Sequence, residues 1–287
     1  MPTALVIRTA GTNCDAEMCR GFELAGAAVE LIHVERLIER PAHLESADLI
    51  GFPGGFSYGD DVASGRILAM KLRERLYPAL RDAARRGVPM IGACNGFQVL
   101  VQVGLLPGPD SDHGWPEDAA PAQTVALTHN SGARFIDRWV RVKPEPASPC
   151  VWTRSLSALW SDSERNQELR DASLILPIAH GEGRLVTASP AVLASLRAGA
   201  QIALTYVDNP NGSTADIAGI CDRSGRIFGL MPHPERFLDW NLHPWWTRLE
   251  GSVTSRPAPG LLLFKDAVEA AIAAPATASR TPVAASR

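Results

Sequence analysis

The chain has 287 residues, 46% of them hydrophobic and 21% charged, with a formal net charge of −3, which allows a large buried core. Only three lysines (Lys71, Lys143, Lys265) and no basic run are present, so nothing marks a nucleic-acid or anionic-membrane partner. No stretch approaches the ~20 apolar residues of a membrane helix, and five cysteines (14, 19, 94, 150 and 221) without a CxxC pair fit neither a disulfide framework nor a zinc site; a reducing cytoplasm is the expected compartment.

Apolar runs at residues 4–7, 29–34, 48–52 and 88–92 alternate with helical patterns around 17–25 and 62–86. Strand, helix, strand repeated this way predicts a parallel sheet covered on both faces, and the runs are too apolar to have a wet side. From residue 107 to about 122, turn formers without a period predict an exposed loop. Later runs at 125–128, 139–143, 174–179, 202–207, 217–222 and 227–231 read as further strands, with antiparallel hairpins expected. Residues 148–170 read only as a loop plus a short helix. A last helix near 261–272 closes a domain predicted to span 1–273, and 274–287 reads as a tail without an apolar face.

Three segments carry chemistry. Gly92-Ala-Cys94-Asn-Gly96 follows a strand and opens a helix. The G-x-Cys-x-G turn places a thiol as G-x-Ser-x-G places a hydroxyl, and a helix N-terminus favours thiolate. On this pattern alone, close packing of strand on helix around a small buried Cys94 explains the glycines equally well. Pro232-His233-Pro234-Glu235 follows another strand; the prolines are expected to hold it extended, with His233 and Glu235 on one side, base beside orienting carboxylate. Pro53-Gly54-Gly55 follows a third strand, and its N–H groups, with that of Asn95, suit an oxyanion; a Pro-Gly type II turn is the plainer alternative. All three segments end predicted strands, where parallel α/β sheets bind ligands.

Together these residues resemble a class I, triad-type glutamine amidotransferase. Gly11-Thr-Asn-Cys-Asp15, Gly54-Gly-Phe-Ser-Tyr-Gly-Asp-Asp61, Ile178-Ala-His-Gly-Glu-Gly-Arg184, Asn209-Pro-Asn-Gly-Ser213, Ile217-Ala-Gly-Ile-Cys-Asp222 and Met231-Pro-His-Pro-Glu-Arg236 sharpen the resemblance towards the glutaminase subunits of phosphoribosylformylglycinamidine synthase. It runs in order from about residue 5 to about residue 270. It implies a flavodoxin-like, three-layer α/β fold and hydrolysis of L-glutamine to glutamate and ammonia. The ammonia would pass to a separate ATP-using synthetase subunit in purine biosynthesis, and a small third subunit would be a further partner.

By that resemblance Cys94 is the nucleophile, His233 the base and Glu235 its orienter; Gly54, Gly55 and Asn95 match the oxyanion segment, and Gln98 falls near the glutamine substrate. No cofactor or metal is expected in this chain. It has no G-x-x-x-x-G-K-[ST], so ATP and Mg are expected on the synthetase, and low glutaminase activity is expected until that partner binds. Ala93 and the run Val62-Ala-Ser-Gly-Arg-Ile depart from the family pattern without removing a reacting group. His180-Gly-Glu-Gly-Arg184 stays open between a hairpin with a surface histidine and a wall of the site or a partner contact. Cys14 and Cys221 read as packed thiols, and His33, His43, His113, His129 and His243 have no matching constellation. The competing readings are a glutaminase for another acceptor, a cysteine hydrolase and a silent regulatory subunit.

Overall fold

A computed structural model describes residues 1–109, 114–117, 119–163 and 167–273; the expected tail and residues 110–113 and 118 of the expected loop lie outside them. The strands are β1 (Thr3–Arg8), β2 (Ala28–His33), β3 (Leu49–Phe52), β4 (Met90–Ala93), β5 (Val125–Thr128), β6 (Ile136–Pro144), β7 (Ile175–His180), β8 (Arg184–Thr187), β9 (Ile202–Tyr206), β10 (Ile217–Cys221) and β11 (Ile227–Leu230). Nine form one sheet in the order β2-β1-β3-β4-β11-β10-β9-β6-β7, and β5 pairs with β8 in a separate ribbon.

The first five strands of that order run parallel. From β11 outward, β10, β9, β6 and β7 pair antiparallel. Every residue of β3, β4 and β11 is buried, as continuous apolar runs without alternation require when helices cover both faces. β1 shows the two faces directly. Ala4 and Val6 enter one core with Met18, Phe22, Leu263 and Phe264, whereas Leu5 and Ile7 enter the other with Leu68, Leu72, Leu80 and Leu100. Helices Asp15–Leu24 and Pro259–Ala273 thus cover one face, with the rings of Phe22 and Phe264 edge-on at 5.0 Å. Helices Arg66–Arg75, Tyr77–Arg85 and Asn95–Val103 cover the other. This is the three-layer α/β arrangement anticipated above, with its parallel half in flavodoxin-like order.

The differences lie in the second half. Residues 148–170, expected as a loop with a short helix, hold a short turn at Val151–Thr153, the helix Arg154–Ser163 and the start of Gln167–Ser173. The indole of Trp152, fully buried, donates from Nε1 to the carbonyl of Arg226 at 2.9 Å. The helix Pro190–Ala198 is not among the expected elements, although it has a short apolar run at 191–194, Ser189 accepts from Val192 N–H and Pro190 fills the first turn, the last two being ordinary start signals. β7 pairs with β6 and β8 with β5, so the hairpin across Gly181–Gly183, one of the two readings left open above, does not form.

Candidate active site

Four adjacent parallel strands, β1, β3, β4 and β11, deliver their C-terminal loops to one rim of the sheet. Those loops carry Cys14, Gly54 and Gly55, Cys94, and His233 with Glu235 respectively. The parallel order alone therefore gathers side chains more than 200 residues apart in sequence.

Cys94 follows β4 and precedes the helix Asn95–Val103 with φ 50 and ψ −106, a region that costs a non-glycine residue of the order of 1–3 kcal/mol. The strain sits on the cysteine itself. Its flanking glycines serve close approach instead: a β-carbon on Gly96 would stand 1.8 Å from the Phe52 carbonyl oxygen, and one on Gly92 would stand 2.5 Å from the Gly96 oxygen. The close packing of strand on helix is thus present, and the same segment has the strained turn that the nucleophile reading requires. Cys94 N–H donates to Leu230 O at 2.8 Å, and the Cys94 carbonyl accepts from Phe97 and Gln98, so strand pairing on one side and the helix on the other fix the turn.

His233 and Glu235 are brought together, though not by extended chain: Pro234–Arg236 forms a 3-10 turn begun by the proline. His233 Nδ1 lies 2.6 Å from Glu235 Oε1, and the two side chains are 2% and 0% exposed. Since the carboxylate accepts, Nδ1 carries the proton and the imidazole tautomer is set. Burial opposes a charge on His233, but the Glu235 carboxylate and the Cys94 sulfur outweigh it and hold the imidazole well above its ordinary pKa. Burial, and then the charge of the Cys94 sulfur, push the phenol of Tyr206 upward.

The glycines and amides form the walls. Gly54 O accepts from Asn13 and Cys14 N–H, and Gly55, with φ 134, bridges to Thr12; a β-carbon there would stand 2.6 Å from Asn13 N. Asn95 Oδ1 accepts from Ser57 N–H at 3.3 Å, and its Nδ2 donates to Asp60 at 3.2 Å and to Gln98 Oε1 at 3.0 Å. Gln98 Nε2 donates to Glu182 O at 2.6 Å. Burial, with Glu182 nearby, raises the carboxyl of Asp60.

The antiparallel half of the sheet completes the enclosure. Although β7 is the far edge strand, Cys94 Sγ lies 3.7 Å from Ala179 O, and His233 N–H donates to Pro177 O at 2.8 Å. His180, expected on the surface if the segment were a hairpin, is 3% exposed. Asn130 Oδ1 accepts from Gly183 N–H and lies 3.1 Å from His180 Nδ1, while its Nδ2 donates to the carbonyls of Arg134 and His180; that fixes the amide, so Nδ1 is the protonated nitrogen of His180. Burial, and then the charge of His233, lower its pKa to about 4. The 180–184 segment is therefore a wall of the site.

Sequence reasoning gave no sign of two side chains that meet beside the His233 ring. Cys14 is fully buried, as expected of a packed thiol, yet its sulfur lies 3.8 Å from His233 Nδ1 and accepts from Arg236 Nη2 at 3.1 Å. Both belong to segments singled out above, but neither carries a spacing signal, since 222 residues separate them. Among the described residues, Cys14, His233 and Glu235 are the one group whose ligand-type atoms lie within 4.8 Å of one another. The Nδ1–carboxylate bond and the guanidinium on the sulfur explain their arrangement without a metal.

Comparison with known proteins agrees with this geometry. Residues 1–269 match the family described as the CobB/CobQ-like glutamine amidotransferase domain. The chain is 40% identical to the phosphoribosylformylglycinamidine synthase subunit PurQ of Dehalococcoides mccartyi, over 92% of this chain and 96% of that protein. It is 36% identical to the PurQ subunit of Methanococcus maripaludis, over 94% and 97% respectively. Among solved structures, PurLQS from Thermotoga maritima superposes with a TM-score of 0.65 at 28% identity, covering 94% of this chain and 98% of that one. A GMP synthase-like protein from Thermoplasma acidophilum, 10% identical over 95% of each chain with a TM-score of 0.51, shares the fold. The chain belongs to the CobB/CobQ-like glutamine amidotransferase family and, within it, to the PurQ subunits of phosphoribosylformylglycinamidine synthase.

Proposed function

We propose that the chain hydrolyses L-glutamine in the cytoplasm and hands the ammonia to a separate ATP- and Mg-dependent synthetase subunit, with a small third subunit in the complex. The Cys94 thiolate attacks the side-chain amide carbon, and N–H groups of Gly54, Gly55 and Asn95 receive the developing oxyanion. The His233 imidazolium gives its Nε2 proton to the departing ammonia, leaving a glutamyl thioester. His233 then takes a proton from water, hydroxide attacks the thioester, and glutamate leaves as the thiolate returns. Glu235 holds the tautomer and balances the imidazolium throughout.

The observation that carries this reading is the 2.6 Å Nδ1–Oε1 pair of His233 and Glu235 at the same rim as the strained Cys94. Cys94 is 5% exposed, and the loop over it is tied down by Gln98 and by Ser64 N–H, which donates to Glu182 at 3.4 Å. That closure supports low activity in the isolated chain. The cytoplasmic placement is supported by five free thiols and by the lack, among the described residues, of a helix long and apolar enough to cross a membrane.

An electrophilic glutamine analogue is expected to add to Cys94 alone, read by peptide mass spectrometry. Cys94 is itself buried, so its selectivity rests on the His233 imidazolium beside its sulfur, whereas burial and Cys221 raise the Cys150 thiol and burial and Asp15 push the Cys19 thiol up to about 11. Cys94→Ala is expected to abolish glutamine-dependent synthesis by the complex and to spare synthesis from free ammonia. Retained glutamine-dependent synthesis would favour a silent regulatory subunit.

A further inference from the structure

We propose that Cys14 is a positioning residue for His233: its sulfur, anchored by Arg236, is the second acceptor for the Nδ1 proton that Glu235 holds.

The hydrogen-bond accounting closes around the sulfur. Its S–H donates to Asn13 Oδ1 at 3.2 Å, one lone pair accepts from Arg236 Nη2 at 3.1 Å, and another faces His233 Nδ1 at 3.8 Å, long but within range for sulfur. The backbone of Cys14 is tied to the same place, because its N–H donates to Gly54 O at 3.3 Å and Gly54 packs against the imidazole. Cys14 and Gly54 thus form the floor on which the ring rests.

An independent observation comes from the helix Asp15–Leu24. Cys14 is its N-cap residue and makes no side-chain cap hydrogen bond. Serine or aspartate there would accept from a first-turn N–H and stabilise the helix. The side chain is turned instead to His233 and Arg236, so the position serves the site at the expense of the helix.

The charged and titratable groups around His233 are Glu235 and Arg236 on its own loop, Cys14 before the first helix, Cys94 after β4 and His180 at the end of β7. A hydrogen bond to sulfur is stronger from imidazolium than from neutral imidazole. Losing it therefore lowers the proton affinity of His233, and the thiolate–imidazolium pair dissociates at lower pH.

The test is steady-state glutamine hydrolysis by full-length Cys14→Ser and Cys14→Ala chains in complex with the synthetase, alongside thermal unfolding. Cys14→Ser is expected to cap the helix and unfold at the same or a higher temperature. Its kcat is expected to fall about 5- to 20-fold with KM for glutamine within about twofold, and the alkaline limb of kcat/KM to move down by about half a pH unit. Cys14→Ala is expected to shift the limb at least as far. Wild-type kcat and an unmoved alkaline limb in Cys14→Ser would overturn the inference, whatever the stability of Cys14→Ala. The inference rests on the glutaminase reading, which analogue labelling of wild-type Cys94 tests separately.

Discussion

Gly54 lies so close to His233 that a β-carbon on it would stand 2.7 Å from the imidazole Cε1 and 3.3 Å from both Nδ1 and the sulfur of Cys14. The double glycine after β3 is thus the surface that seats the His233 ring, and under the proposed mechanism its N–H groups also receive the oxyanion. Gly54→Ala is expected to push the ring off Glu235, with kcat/KM for glutamine falling on the order of 100-fold and stability by about 1–3 kcal/mol from overpacking. Kinetics and chemical denaturation check both; near-wild-type activity in a folded protein would mean the ring has room to move.

Glu235→Gln keeps a hydrogen-bonding group at Oε1 but removes the charge that favours the imidazolium. A loss in kcat of about 10²–10⁴ is expected. Because the folded-state pKa of His233 is raised, the stabilisation from its charge is fully present below the unfolded value of about 6.5 and is lost as pH rises through the folded value. The stability difference between wild type and Glu235→Gln should therefore be widest at about pH 6 and narrow at higher pH. Denaturant titrations at several pH values measure it, and a gap that grows with pH would contradict the assignment.

Asp266, on the helix Pro259–Ala273, accepts from Ser155 N–H at 2.8 Å and Ser155 Oγ–H at 2.5 Å. Burial raises its carboxyl to about 6 despite those bonds. A raised acid contributes stability below its unfolded pKa and loses it as pH climbs through the folded value, here from 3.8 to about 6. Asparagine offers one acceptor for the Ser155 N–H and one donor for its hydroxyl, so Asp266→Asn is expected to stabilise the protein by about 1–3 kcal/mol at pH 7.5 and not at pH 4. Thermal melts at the two pH values decide it.

The parallel half of the fold was legible in the sequence because burial on both faces leaves unbroken apolar runs: residues 48–52, 88–92 and 227–231 correspond to β3, β4 and β11. The groups proposed to react were legible for a related reason. Cys94 sits in a glycine-flanked turn, and His233 and Glu235 lie two residues apart, so short-range patterns register them. The helix Pro190–Ala198 carries its Ser189 and Pro190 start signals but escapes a search for apolar periodicity because its apolar face is weak, with only Leu196 fully buried.

Pairing and enclosure were decided by tertiary structure alone. Nothing local in 180–187 tells whether β8 turns back on β7 or crosses to β5, because the choice depends on which edges are free once the sheet has formed. The curl that carries Pro177 and Ala179 from the far edge strand to His233 and Cys94, and the meeting of Cys14 with Arg236, depend on the whole chain being packed. Sequence fixes which side chains can react, since reactivity belongs to residue types and their near neighbours; distance, burial and the sharing of one imidazole proton arise only when remote segments occupy the same space.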